Sequence, residues 1–492
     1  MLRASAVKRR RHALVSIALL GLVLWAFAGA CDSDRAQAFG VQLQTGLASY
    51  PPFGAPGEVV LARTRSAGAR FLKLALAWRT IAPASPPPGF DASNPYDPSY
   101  RWSHLDWTIS RAIAHGLTPV IDILEPPSWA ESPPGSSAAH PNLTDFTMFT
   151  QAIVTRYDGA QPNLPRVAYW EAWNEPNGSF FLEPQIEGAR FVSVDFYRNM
   201  LNDFASVVHG VRPDNIVIGG ALFPNEVRRP GATAIAPLDF TREMFCLSGA
   251  VKPSLVCNTP VDVDVWSVHP YTSGGPSTLP ANRKNIWIAN LSSITATVRA
   301  AQELGTLVSS HPAQVWVSEF GWNSSPPTHS GVPLNLERRW VAETLYLAWR
   351  AEISVFTWFQ LADEPVGSSP FQSGLYFFCP GGISCDTPKP AAAAFRFPFV
   401  AYAKPRRHVF VWGRTPAGAP GRVRIQWLEG SRWRTFALLS TDEDGIFTTS
   451  LSLPRRASAA NAQLRAAQLG GESAPAFSLH QPPNLAVTPF GS

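Results

Sequence analysis

The sequence predicts an α/β fold, a (β/α)8 barrel of the TIM type followed by a small C-terminal antiparallel β-sandwich, and three observations point there. Eight short apolar runs alternate with longer amphipathic segments between residues 39 and 400; polar and Pro/Gly-rich stretches gather just after those runs; and from about Phe399 the pattern changes to closely spaced strands. The expected organisation is therefore a leader and linker at 1–38, a barrel at 39–400 and a sandwich with a Pro-containing tail at 401–492.

The eight strand candidates are Phe39 to Gly46, Phe71 to Trp78, Leu117 to Leu124, Val167 to Asn174, Ile216 to Phe223, Val263 to Tyr271, Gln314 to Phe320 and Ile353 to Gln360. Between them the apolar period becomes helical. Trp102, Leu105, Ile109, Ala112 and Ile113 share one face, and Tyr197, Met200, Leu201, Phe204, Val207 and Val208 share another. A doubly wound open sheet has the same local pattern. The segments at 82–98 and 126–141 decide for a barrel, because they place polar residues after strands, where barrel sites lie. No phosphate-cradling glycine turn opens a helix. In the C-terminal part, His408 to Trp412, Val423 to Leu428, Trp433 to Leu439 and Ile446 to Leu453 read as short strands.

With 45% hydrophobic and 16% charged residues the composition is that of a globular chain. The formal charge of +5 belongs to the N-terminus: Arg3, Lys8, Arg9, Arg10 and Arg11 precede an apolar run from Ala13 to Ala30, and without them 36 basic residues face 36 acidic ones. Nucleic-acid binding thereby loses its electrostatic argument. Charge is also segregated, −6 over 31–400 and +6 over 401–492, which fits solvated arginines on a structural module better than a basic binding face.

The basic stretch, the apolar run and the small residues Ala28, Gly29 and Ala30 form an export signal. A secreted or cell-surface location is expected, with membrane attachment through a retained leader or a lipidated Cys31 as the alternatives to cleavage. The remaining cysteines form close pairs, Cys246 with Cys257 and Cys379 with Cys385, and read as two short disulfide loops. Asn142, Asn177, Asn290 and Asn323 fit the N-glycosylation pattern, and Asn177 is expected to remain unmodified, since a glycan there would obstruct the cleft.

Two segments carry chemistry. Tyr169 to Asn177, YWEAWNEPN, ends the fourth strand, and Pro176 stops the ladder there. Glu175 then projects into the barrel mouth, with Asn174 beside it and Trp173 as an apolar wall. Val315 to Trp322, VWVSEFGW, ends the seventh strand and offers Glu319 as a second carboxylate. Two carboxyl groups across a mouth can flank one glycosidic bond. A gap of about 5 to 5.5 Å gives a covalent, retaining reaction, and a wider one admits water and inverts. Glu171 falls on the same strand face as Glu175 but deeper, and is expected to make a structural hydrogen bond.

WNEPN after strand four and SEFGW after strand seven resemble clan A glycoside hydrolases. With Ser267-Val268-His269-Pro270-Tyr271 after strand six and Trp358 in strand eight, the pattern is most similar to family 39, then to family 5. The resemblance implies a retaining glycosidase in which Glu175 is the acid/base and Glu319 the nucleophile. It further implies that Asn174 contacts the 2-hydroxyl of the sugar, Tyr271 hydrogen-bonds the nucleophile, His269 lines the mouth and Trp358 floors the sugar subsite. Trp78, Trp129 and Trp322, near strand ends, are further candidate stacking platforms. The arginine usual near the end of strand two has no certain match; Arg79 is the nearest. The expected substrate is a poly- or oligosaccharide acted on by a monomer, with no metal or organic cofactor. Transglycosylation on the same site and a silent surface carbohydrate-binding protein are the alternative readings.

Overall fold

The computed structural model describes residues 42–49, 55–249, 253–367 and 369–479. The leader, Cys31 and the tail after 479 lie outside the described residues. Strands β1 (Gln44–Ser49), β2 (Phe71–Ala77), β3 (Thr118–Leu124), β4 (Tyr169–Ala172), β5 (Ile216–Leu222), β6 (Val265–Val268), β7 (Gln314–Val317) and β8 (Ile353–Trp358) pair in parallel and close into a barrel, β8 returning to β1. Each is followed by a helix: α1 (Ala55–Ser66), α2 (Ser103–Ala114), α3 (Leu143–Arg156), α4 (Val192–Val211), α5 (Pro237–Met244), α6 (Ser292–Glu303), α7 (Leu334–Arg350) and α8 (Pro390–Arg396). The fold is thus the (β/α)8 barrel that the alternation of patterns predicts. Among the described residues no helix is long and apolar enough to cross a membrane.

The first strand begins at Gln44, residues 39–41 of the apolar run lying outside the described residues, and its Gly46 is required by packing: a Cβ there would lie 2.9 Å from Thr357 Oγ1 and 3.1 Å from Phe71 Cβ. At β4, β6 and β7 the sequence reading runs two or three residues past the last ladder residue. Those extra residues leave the sheet and form the rim of the barrel.

Side chains fill the barrel in layers one two-residue step apart. The lowest layer is apolar, with Val120, Ile218, Val265, Trp316 and Val355 packed against Phe71, Tyr169 and Ile216. One step towards the C-terminal ends the layer becomes ionic. Lys73 lies 2.9 Å from Glu171 and 3.1 Å from Asp122, all fully buried, and Ser267 donates to Glu171 at 2.8 Å.

After α8 come two antiparallel sheets. One contains β9 (Phe399–Lys404), β10 (His408–Arg414) and β13 (Ile446–Ser452); the other contains β11 (Arg422–Glu429), β12 (Arg432–Ser440), β14 (Gln463–Gln468) and β15 (Phe477–Ser478). Strand β9 spans the 400/401 position. The sheets meet through Tyr402 and Phe477, and Tyr346 of α7 packs against Tyr402, Phe410 and Trp412 with ring centroids 5.6 to 5.7 Å apart. Buried Arg414 donates to Gln44 and Thr45 at the start of β1. These contacts engage the outer helix layer and the N-terminal end of the barrel, opposite the rim. The disulfides Cys246–Cys257 and Cys379–Cys385 pair as the spacing suggests.

Glu337, in the first turn of α7, is fully buried, and neither carboxyl oxygen has a hydrogen-bond partner among the described residues. Burial pushes its pKa up to about 8, with the nearby Lys389 opposing and Asp363 adding to the rise. The folded protein therefore holds a proton that the unfolded chain releases above about pH 4.5, and stability is lost as pH rises towards 8. Glu337→Gln is expected to remove part of that loss, by on the order of 1 to 3 kcal/mol at pH 8.5. Urea midpoints at pH 6 and 8.5 check it; an equal fall in mutant and wild type would contradict it.

Candidate active site

The site stands on the ionic layer. Beyond Ala172 the chain leaves β4 through two residues with left-handed backbone, Trp173 (φ 68°) and Glu175 (φ 42°). Such conformations cost about 1 to 2 kcal/mol for a residue with a side chain, and the surrounding hydrogen bonds offset them. Glu175 N donates to Ala221 O, Gly178 N donates to Glu175 O, and the side chain of Asn177 bonds Phe223 and Ile235. Asn177 is fully buried, so the amide that a glycan would need is already committed inside the protein. The Trp173 ring faces the helix layer, packing on Phe146 with its N–H on Phe181 O, and is not the wall the sequence reading makes of it.

The rim of the barrel brings Glu175, Glu319, His269 and Tyr271 together. One atom from each of Glu175, His269 and Glu319 can be chosen so that all three lie within 4.8 Å of one another. Glu175 Oε1 is 2.9 Å from His269 Nδ1, and Glu319 Oε2 is 3.7 Å from the same nitrogen. The Tyr271 hydroxyl donates to Glu319 Oε2 at 3.1 Å. Asn174 is buried beside them, and its Oδ1 has no partner among the described residues.

The two acids differ in surroundings. Burial pushes Glu175 well above the usual carboxylate range, and the charge of Glu319 adds to the rise. Glu319 is also raised by burial, but the Lys73 charge below it and the Tyr271 hydroxyl hold it down. One carboxyl thus favours its proton, while the other has two groups that stabilise its anion. Burial, aided by Lys73, depresses His269 well below its ordinary pKa, so the ring is neutral. The cluster Glu175, His269 and Glu319 is the one group of metal-ligating residues among the described residues.

Several expected contacts fall elsewhere, and strand alternation explains why. In β2 the inward positions carry Phe71 and Lys73, so Trp78 lies on the other parity and is fully buried against Phe149, with Phe146 and Trp129 at its edge. In β8 the inward positions carry Val355 and Thr357. Trp358 turns outward to Phe395 of α8, donates to Ser373 O and is 1% exposed. Neither ring can stack on a sugar. Trp322 is likewise buried, between Phe320, Trp340 and Trp358, with its N–H on Thr272 O. Trp129 is partly exposed and packs on Trp78 and Phe90, its N–H on Pro83 O. His269 does not line the mouth; it is fully buried and links the two acids. Arg79 points to solvent and pairs with Glu125 at 2.6 Å.

The sequence reading misses Lys73, Ser318 and Phe359. A lysine in an otherwise apolar run, on the same parity as Phe71, is the signal that could have found the first. Phe359 N donates to Phe320 O, which extends the alternation of β8 by one residue and puts Phe359 on the side of Val355 and Thr357. Its ring meets the exposed Phe371 edge-on at 5.2 Å.

Lys73 also carries a stability consequence. Burial pulls its pKa down, but Asp122 and Glu171 outweigh that and hold it charged. Lys73→Met would leave two carboxylates buried without a cation, at a cost of about 3 to 5 kcal/mol. Urea unfolding checks this, and an unchanged midpoint would contradict it.

No protein-family model matches the sequence, and no curated protein is similar to it. Among solved structures, a family 39 glycoside hydrolase from Bacteroides cellulosilyticus WH2 is similar at 17% identity, over 84% of this chain and 79% of that one, with a TM-score of 0.51. A glucosidase from Croceicoccus marinus aligns at 15% identity over 84% and 81%, with a TM-score of 0.47. The first likeness is one of fold: this chain is built on the barrel frame that the family 39 enzyme also uses.

Proposed function

We propose that this chain is a retaining glycoside hydrolase that cleaves O-glycosidic bonds of a poly- or oligosaccharide by double displacement. The observation that carries the reading is the approach of the two acids, with an oxygen of each within 4.8 Å at the C-terminal rim of the barrel. Such proximity is nearer the spacing of retaining acid pairs than the wider gap of inverting ones, and it supports direct attack by one carboxylate. Glu175 protonates the leaving oxygen, Glu319 attacks the anomeric carbon, and Glu175 then takes a proton from the incoming water. The unpartnered Asn174 Oδ1 is suited to accept from a sugar hydroxyl. Tyr271 and Lys73 favour the ionised form of Glu319 that attack requires.

The neighbour described as a family 39 glycoside hydrolase supports the same reading through its frame. The two disulfides are compatible with an oxidising, extracytoplasmic setting, and we place the protein there, exported by its leader. Screening aryl glycosides and wall polysaccharides, with product analysis in the presence of acceptor sugars, tests the proposal. Hydrolysis supports it, whereas dominant transfer to acceptor or saturable binding without cleavage would replace it. The alkaline limb of kcat/KM is expected above the ordinary carboxylate range, because activity is lost as Glu175 gives up its proton at a raised pKa. A limb near pH 4.5 would contradict the assignment of the acid.

A further inference from the structure

Glu175 has two oxygens and, as an acid, one proton; only a proton on the oxygen facing the leaving group is useful. Oε1 is 2.9 Å from His269 Nδ1. The other ring nitrogen, Nε2, is 3.0 Å from Ser318 Oγ. Ser318 is buried and follows Trp316 on the inward parity of β7, where its N–H bonds Val268 O at 3.3 Å. The hydroxyl is therefore held against the ring from the neighbouring strand end.

A neutral imidazole has a single N–H to place, and two tautomers compete. With the proton on Nδ1, the N–H points at Glu175 and towards Glu319, while the Nε2 lone pair receives the serine O–H. With the proton on Nε2, a lone pair faces both acids, an electrostatic conflict if either is ionised. The charged and titratable groups facing the ring are Glu175, Glu319 and Tyr271, from the segments after β4, β7 and β6, and Lys73 from β2, itself paired with Glu171 of β4 and Asp122 of β3. The hydroxyl of Ser318 is what meets Nε2.

We propose that Ser318 is a positioning residue for the acid: by donating to Nε2 it fixes the Nδ1–H tautomer of His269, which caps Glu175 Oε1 and leaves the acid's proton on Oε2. The inference rests on the assignment of Glu175 as acid/base. When Glu175 later acts as base, the same Nδ1–H stabilises its carboxylate. Losing the serine lets the ring turn its lone pair to Oε1, which draws the acid's proton onto the unproductive oxygen and disfavours the carboxylate.

Two measurements on the full chain test this. Nitrogen-15 NMR of histidine-labelled protein, with the His269 signals assigned by their loss in His269→Gln, is expected to show a protonated Nδ1 and an unprotonated Nε2. In Ser318→Ala the Nε2–H form should appear. For kcat/KM, Ser318→Ala should lose about tenfold on phenyl glycosides, a part of the roughly 10²- to 10⁴-fold that a general acid supplies. It should lose much less on 2,4-dinitrophenyl glycosides, whose leaving group departs without a proton. Its alkaline limb should move to higher pH, and Ser318→Thr, which keeps a hydroxyl, should restore the phenyl glycoside. A protonated Nε2 in wild type, or an equal loss on both substrates, would overturn the proposal. If wild type cleaves neither glycoside, the glycosidase reading falls, and the NMR still decides the tautomer.

Discussion

Glu319→Gln is expected to lower kcat by on the order of 10⁴-fold or more, the scale seen when an activated nucleophile is removed, and to leave the protein folded. The amide keeps the shape of the side chain and can still accept from Tyr271, which donates to Oε2 at 3.1 Å. It cannot form the covalent intermediate. The carboxyl it replaces is held above its usual pKa by burial, so a neutral group should be tolerated at neutral pH and the urea midpoint should not fall. Steady-state kinetics on any glycoside the wild type cleaves, with unfolding curves on the same preparations, checks both halves. Near-normal turnover would remove Glu319 from the mechanism; a large drop in stability would make the loss uninformative about chemistry.

Glu175→Ala should have a different signature, because in the proposed mechanism this residue serves both steps. On substrates with poor leaving groups the loss is expected to be about 10²- to 10⁴-fold, the usual range for a general acid. On dinitrophenyl glycosides the first step needs no proton, so kcat/KM should fall far less while the second step becomes slow. The truncated side chain also opens space at the rim. Azide should enter there, attack the glycosyl-enzyme without help from a base, and raise kcat on the activated substrate, giving a glycosyl azide. A uniform loss across leaving groups with no response to azide would contradict the acid/base role. The raised pKa of Glu175 comes first from its burial and then from the charge of Glu319, so Glu319→Gln should also move whatever residual pH dependence remains to lower pH.

Much of this architecture is legible in the linear sequence for a simple reason. Barrel strands are buried on both faces, so their apolar runs stand out, and the polar residues that end them mark one end of the barrel. WNEPN is visible because Pro176 interrupts an otherwise regular run, SEFGW because a carboxylate ends an apolar one, and both segments fall at the rim. Side-chain direction is harder to read. Trp78 and Trp358 sit at strand ends as expected, but a one-residue difference in parity sends each ring into the helix layer rather than the mouth. Lys73 is obscured by its apolar neighbours, since a lone lysine in a strand ordinarily suggests an exposed edge, and only the convergence of Asp122 and Glu171 from two other strands makes its burial tolerable. Strands β14 and β15 escape notice because polar or very short segments such as Gln463–Gln468 and Phe477–Ser478 lack the β-branched pattern of strong strand formers.

The stereochemistry of the first-formed sugar tests the central claim most directly. Proton NMR of the anomeric region during the first minutes of hydrolysis, before mutarotation, should show the product in the configuration of the substrate, as double displacement at Glu319 requires. First appearance of the opposite anomer would contradict the account, because inversion belongs to single displacement by water and needs no covalent intermediate at Glu319.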